Sequence, residues 1–285
     1  MRRTRLLVAA VLAGVVFVAT ACSEGDSGSG GGSSGFEVTS EVVSHQTTQD
    51  ILVFEPDAVG PWPVVMAMHG VGGEGQDMAE IATRLAQHGA VVFAPTYHTD
   101  LSTEEGINQA ALDLECGYRF ARSIAAEHGG DLEQPVTFVG WSLGATAALA
   151  IGLTEELDPT GEFVTCFSEV PRPDVIVAIS GCHYEYEGKP IEFDTAGWSN
   201  EDADVHLVAG EKDSTCAAWQ SEDAEVDLRE LGYDVDLVIL EGANHYAPVF
   251  HDLVDGEWVV DGDDPAGERT VEVILDAIAS AQSGT

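Results

Sequence analysis

The sequence predicts an α/β domain built on a doubly wound, mostly parallel sheet of about eight strands, with helices on both faces. Two observations carry that expectation. Short apolar runs alternate along the chain with longer helical stretches, and most of those runs are continuous in Val, Ile, Leu and Ala, as strands covered on both faces are. Phe36 to Ser44 and Ile51 to Phe54 alternate enough to read as two antiparallel strands; Trp62 to Met68 is a continuous apolar strand running into His69-Gly70. Further strands are expected at Ala90 to Ala94, Val136 to Val139, Val175 to Ser180, Val205 to Ala209 and Val235 to Leu240. Helices are expected at Asp77 to His88, Glu104 to His128, Leu143 to Leu153, Thr215 to Leu231 and Pro265 to Ala281. Only Gly181 to Asp204 separates the strand ending at Ser180 from the next, so little room is left for a cap. Asp252 to Asp264 lacks the regular spacing of a calcium loop and reads as an acidic hairpin. In a sheet of this kind the ligand site lies at the carboxyl ends of the strands.

The chain has 285 residues, with 50 Asp and Glu against 11 Lys and Arg and a formal net charge of -39. At 45% hydrophobic residues it can bury one substantial core, so one large domain is expected. So negative a chain offers no basic stripe for a phosphate backbone, which argues against nucleic-acid binding. Self-repulsion at this charge is relieved by dissolved salt, whose screening length is roughly 10 Å at 0.1 M and shorter above it, so a salty medium is expected.

Three of the cations, Arg2, Arg3 and Arg5, stand before the apolar run Leu6 to Ala19. A basic start, a run too short to span a bilayer and small residues at its end make residues 1–21 an export signal. Val18-Ala19-Thr20-Ala21-Cys22 resembles a bacterial lipobox, which would place a lipid on Cys22, although Ala19 stands where such boxes usually carry Leu. Plain secretion with cleavage near Ala21 is the alternative. Residues 22–35, rich in Gly and Ser, read as a tether from a membrane anchor to a folded body at 36–285. Beyond Cys22 four cysteines remain, Cys116, Cys166, Cys182 and Cys216; in an oxidising compartment they imply two disulfides. Three pairings are open, although Cys182 and Cys216 each follow a predicted strand and fit neighbouring loops. None has zinc-ligand spacing, and no metal or cofactor is expected.

The sharpest chemical signal is Gly140-Trp141-Ser142-Leu143-Gly144, set between the strand Pro135 to Val139 and an Ala-rich helix. A serine that attacks a carbonyl must project from a tight strand-to-helix turn, and glycines two residues either side leave room for that backbone. A base is needed, and His245 lies in the short loop after the final strand. An acceptor for the imidazole is needed too. Asp213, on the loop after the preceding strand, is the candidate, with Glu211 its competitor two residues earlier. The glycines of His69-Gly70-Val71-Gly72-Gly73 would let backbone N–H groups approach a tetrahedral oxygen; the N–H of Val71 and that of Leu143 would form an oxyanion hole. His69 itself reads as structural. Tyr97, His98, Trp141, His183, Tyr184, Tyr186 and Tyr246 fall on loops at the same edge, either lining an acyl or alcohol pocket or packing the loops.

Taken in order, the strand-His-Gly-x-Gly-Gly segment, the Gly89-Ala90-Val91-Val92 strand ending at Pro95, the Gly-x-Ser-x-Gly turn, the Asp loop and the His loop resemble an α/β-hydrolase across roughly Phe36 to Ala281. The chain is similar to the uncapped esterases: dienelactone hydrolases, acetyl esterases and cutinase-like lipases. That resemblance implies a serine esterase with little cap and an open site. The dienelactone hydrolases proper use a cysteine nucleophile where Ser142 stands here, which points toward ester hydrolysis instead of the dienelactone reaction. Apart from Lys212 no Lys or Arg falls among the site loops, so small or polymer-derived neutral esters are the expected substrates. The alternatives are a phospholipid acetylhydrolase or lipase, and a non-catalytic lipoprotein that binds ligands on the same fold. A monomer, anchored outside the cell membrane or else secreted, is assumed.

Overall fold

A computed structural model of the chain describes residues 35–44, 50–100, 103–154, 170–191, 195, 198–200, 202–254 and 257–284. The export signal, Cys22 and all of the tether but Gly35 lie outside the described residues, as does Cys166. In chain order the elements are β1 (Val38–Val43), β2 (Ile51–Pro56), β3 (Val64–Met68), α1 (Ala79–Gln87), β4 (Val91–Pro95), α2 (Glu104–Ile124), β5 (Val136–Trp141), α3 (Leu143–Leu153), β6 (Val175–Ile179), β7 (Glu185–Tyr186), β8 (Lys189–Pro190), β9 (Asp204–Gly210), α4 (Trp219–Glu230), β10 (Val235–Leu240), β11 (His251–Val254), β12 (Glu257–Val260) and α5 (Pro265–Gly284).

Eight of the strands form one sheet in the order β1-β2-β4-β3-β5-β6-β9-β10. β1 runs antiparallel to β2, and β2 antiparallel to β4; every other neighbouring pair is parallel. The continuous apolar runs are the central strands: every residue of β3, β4, β5 and β6 is buried. Two apolar layers cover the faces. On one, Leu114, Tyr118 and Ala121 of α2, Ala148 and Leu149 of α3 and Leu228 of α4 pack on Met66, Phe93 and Phe138. On the other, Ile81 and Leu85 of α1 and Val271, Ile274 and Ile278 of α5 pack on Val65, Val92 and Val139. Truncating a fully buried side chain such as Leu149 to alanine costs about 2–5 kcal/mol in cores of this kind.

α3 is apolar nearly all round because it is covered nearly all round, and its small residues set how close it lies. A Cβ on Gly152 would stand 2.6 Å from Ile176 Cδ1. The expected helix at Thr215 begins only at Trp219, because the N–H groups of Thr215 and Cys216 turn back to the Asp213 side chain. The stretch from Gly181 to Asp204 contributes, among its described residues, only the β7–β8 ribbon. Its turn, Glu187-Gly188, has both residues at positive φ (52° and 72°), which matches strand twist in a two-residue hairpin. The acidic segment forms the antiparallel β11–β12 hairpin. Cys182 and Cys216 are joined, their Cα atoms 4.7 Å apart, and Cys116 is also disulfide-bonded.

Candidate active site

β5 ends in a turn that only its glycines permit. Ser142 sits at φ 57°, ψ -118°, a strained conformation costing on the order of 1–3 kcal/mol, and its N–H is pinned to the Ile179 carbonyl at 2.8 Å. A Cβ on Gly140 would lie 2.0 Å from the Gly144 carbonyl oxygen, and one on Gly144 would lie 2.2 Å from that of Met68. The serine therefore projects at the carboxyl end of the central strands, directly before the first turn of α3.

His245 and Asp213 reach it from the next loops. Gly210 ends β9 against the His245 loop, where a Cβ would meet the Ala243 oxygen at 2.5 Å, and the Lys212 N–H donates to that same carbonyl at 2.8 Å. Asp213 Oδ2 lies 2.7 Å from His245 Nδ1, and His245 Nε2 lies 3.0 Å from Ser142 Oγ. A carboxylate only accepts, so Nδ1 carries the proton and the bare Nε2 accepts the serine O–H. The whole relay is buried: Ser142 and His245 are each 4% exposed and Asp213 6%. Asp213 Oδ1 is occupied by the N–H groups of Thr215 and Cys216, both at 2.8 Å. The competitor Glu211 turns away and accepts the Gly242 N–H at 2.9 Å, bracing the turn before His245.

The His69 to Gly73 segment closes over the serine. A Cβ on Gly70 would stand 3.2 Å from Ser142 Cβ, so the loop backbone runs against Ser142. Gly73 N–H bonds the Gly70 carbonyl across a turn whose third residue, Gly72, has φ 71°. Among the described residues neither the Val71 N–H nor the Leu143 N–H has a protein partner, and Leu143 opens α3, where helix N–H groups point outward. His69 is fully buried: its Nδ1–H donates to the Gly70 carbonyl at 2.7 Å, its Nε2 accepts the Tyr97 N–H at 3.3 Å, and its ring stacks on Tyr97. Burial holds its pKa below the usual histidine value, against the opposing pull of the Gly70 carbonyl and Asp77, so it is a neutral brace for the loop.

Of the aromatic candidates, Tyr97, Trp141 and His183 are buried. Trp141 packs against His245, its Nε1–H donating to the His245 carbonyl at 2.9 Å. Tyr184 stacks on Trp219 and donates its hydroxyl to Asp227. Tyr246 stays half-buried beside His245, ring centroids 5.1 Å apart. The residue that sequence reasoning passed over is Trp258 of β12, 55% exposed and edge-on to Tyr246 at 4.5 Å and to Trp141 at 5.7 Å. A lone tryptophan in an otherwise acidic hairpin was its signal.

A serine at an elbow, an imidazole that accepts its proton and a carboxylate behind the imidazole can perform nucleophilic acyl transfer. The pattern of the dienelactone hydrolase family matches residues 50–247. This chain belongs to the dienelactone hydrolase family. None of the curated proteins matches it. Among solved structures the fold is similar to an inhibitor-bound esterase B from Lactobacillus rhamnosis, at 15% identity and TM-score 0.69 over 87% of this chain and 88% of that one. It is also similar to a thermophilic esterase from Thermogutta terrifontis, at 18% identity and TM-score 0.63 over 85% of this chain and 92% of that one. A carbohydrate esterase from gut microbiota matches at 13% identity and TM-score 0.67, over 88% and 98% of the two chains. At such identities the likeness is one of fold.

Proposed function

We propose that this member of the dienelactone hydrolase family is a serine esterase, exported and held at the outer face of the cell membrane by a lipid on Cys22. The observation that carries the catalytic reading is the buried relay from Asp213 Oδ2 through His245 to Ser142 Oγ, at 2.7 and 3.0 Å. In the first half-reaction His245 Nε2 takes the serine proton as Oγ attacks the ester carbonyl, then returns it to the leaving alcohol. Asp213 holds the imidazole in the tautomer that leaves Nε2 bare and stabilises the imidazolium that forms. The free N–H groups of Val71 and Leu143 hold the oxyanion, a contribution of about 3–4 kcal/mol per donor in such sites. Water, activated by the same histidine, releases the acid from Ser142.

Substrates are neutral esters, because Lys189 of β8 and Lys212 are the only Lys or Arg that the sequence places in the loops after β3, β4, β6, β9 and β10 to meet an anionic group. The short β7–β8 excursion supports an open site that accepts small or polymer-derived esters. The test is hydrolysis of p-nitrophenyl esters from acetate to palmitate, at low and high salt, beside Ser142→Ala. Turnover lost in Ser142→Ala supports the reading, and a palmitate optimum moves it toward a lipase. A folded wild-type chain inert on every ester contradicts it. For the anchor, mass spectrometry of the mature N-terminus should find a diacylglyceryl group on Cys22, and an unmodified N-terminus near Ala21 would refute it.

A further inference from the structure

The Cys182–Cys216 disulfide is buried beside the acid of the relay, with 4% and 1% of its two residues exposed, and the mechanism above makes no use of it. Its place in the hydrogen-bond pattern is specific. Cys216 donates its N–H to Asp213 Oδ1, one of the two bonds that saturate that oxygen and leave Oδ2 for His245. At the other end the Cys182 carbonyl accepts the Thr146 hydroxyl at 3.1 Å. Thr146 lies in the first turn of α3, and its N–H bonds the Ser142 carbonyl at 3.4 Å. A closed ring results: Ser142, Thr146, Cys182, the S–S bond, Cys216, Asp213, His245 and back to Ser142.

The covalent link is not needed to dock the Gly181–Tyr186 segment on α4. Gln220, 2% exposed, already does so, accepting the Tyr184 and Glu185 N–H groups at 2.9 Å and donating to the Glu185 carbonyl at 3.1 Å. What the bond adds lies at its Cys216 end, where five residues of loop separate Asp213 from the first residue of α4 at Trp219 and one carboxylate must keep its rotation. We infer that Cys182 and Cys216, tied to α3 through Thr146, are positioning residues that hold the Asp213 carboxylate on the His245 Nδ1–H. This rests on the triad reading only for its effect on rate; the geometric effect stands by itself.

The test is a cycle in the full chain: Cys182→Ser/Cys216→Ser with and without Asp213→Asn. A device that works through Asp213 loses about 10–100-fold in kcat when removed, with KM within about twofold, since small displacements of catalytic groups cost that much. In the Asp213→Asn background the same removal changes kcat by less than about twofold, because coupled residues are not additive. Equal losses in both backgrounds, or unchanged kcat with Asp213 present, overturn the inference. So does an equal loss in Cys116→Ser, which opens a disulfide on α2 and would make the effect one of general stability. If the double-serine chain does not fold, Thr146→Val, which keeps the S–S bond, takes its place: a kcat loss confined to the Asp213 background supports the inference and equal losses overturn it. The His245 Nδ1–H proton resonance decides the matter without catalysis. It should move upfield or exchange away in the serine pair, and an unchanged resonance refutes the positioning role. Should the wild type hydrolyse no ester, the esterase reading fails while this arm still reports.

Discussion

Asp213→Asn replaces one oxygen of the relay with an NH2 of nearly the same volume. In the wild-type chain Oδ1 accepts the Thr215 and Cys216 N–H groups, both at 2.8 Å, and Oδ2 accepts the His245 Nδ1–H at 2.7 Å. Asparagine keeps one acceptor, and the two backbone donors claim it. Its NH2 then faces His245, and since an NH2 only donates, Nδ1 must become the acceptor and the ring proton moves to Nε2. There it confronts the Ser142 hydroxyl as a donor and cannot take its proton. In protease triads this exchange of tautomer costs about 10⁴ in kcat, or about 5.5 kcal/mol at about 1.4 kcal/mol per tenfold. The assay is kcat on the best ester of the p-nitrophenyl series, beside thermal unfolding, which should shift little because volume and backbone bonds are kept. Glu211→Gln is the companion, expected within about twofold of wild type since Glu211 braces Gly242. An Asp213→Asn enzyme within tenfold of wild type, or a larger loss in Glu211→Gln, would refute the reasoning.

Gly144→Ala sets a methyl 2.2 Å from the Met68 carbonyl oxygen and should cost about 1–3 kcal/mol of stability and most of the activity, read by thermal melts and ester turnover; a wild-type melt would be the contrary result. Salt should stabilise a chain of net charge -39: each kcal/mol of self-repulsion screened raises Tm by about 2–4 °C, so a Tm that is flat or falls between 0.1 and 2 M NaCl contradicts the salt argument. Burial pushes the His183 imidazole down to about 4, below its unfolded value of 6.5. The unfolded chain therefore binds the extra proton first, and the stability this residue contributes is complete above about pH 6.5 and lost as pH falls toward 4. His183→Gln should shrink the Tm difference between pH 7 and pH 4.5, and an unchanged difference counts against that linkage.

Much of this was legible because each signal was local. The central strands are strongly apolar, the Gly-x-Ser-x-Gly turn is flanked by glycines that sterics demand, and the loops after β9 and β10 are too short to place Asp213 and His245 anywhere but the same edge. The Asp213 and Glu211 choice was harder, since both follow β9; the structure turns Asp213 to His245 Nδ1 and Glu211 to the Gly242 N–H, contacts between segments distant in sequence. The late start of α4 and the role of Thr146 have the same origin, in hydrogen bonds to Asp213 and Cys182 that no periodicity reveals. The β7–β8 ribbon was missed because two-residue strands leave no alternation to read, although Glu187-Gly188 was a turn signal. Trp258 was hidden by the acids around it, its partners Tyr246 and Trp141 lying on segments distant in sequence.

The central claim is that Ser142 is a nucleophile made reactive by His245 and Asp213. The most direct measurement is treatment of the full chain with a fluorophosphonate probe, followed by peptide mapping by mass spectrometry. The account predicts one adduct, on Ser142, formed within minutes and abolished in His245→Ala. A folded chain that stays unlabelled, or carries its adduct on another serine, would contradict it.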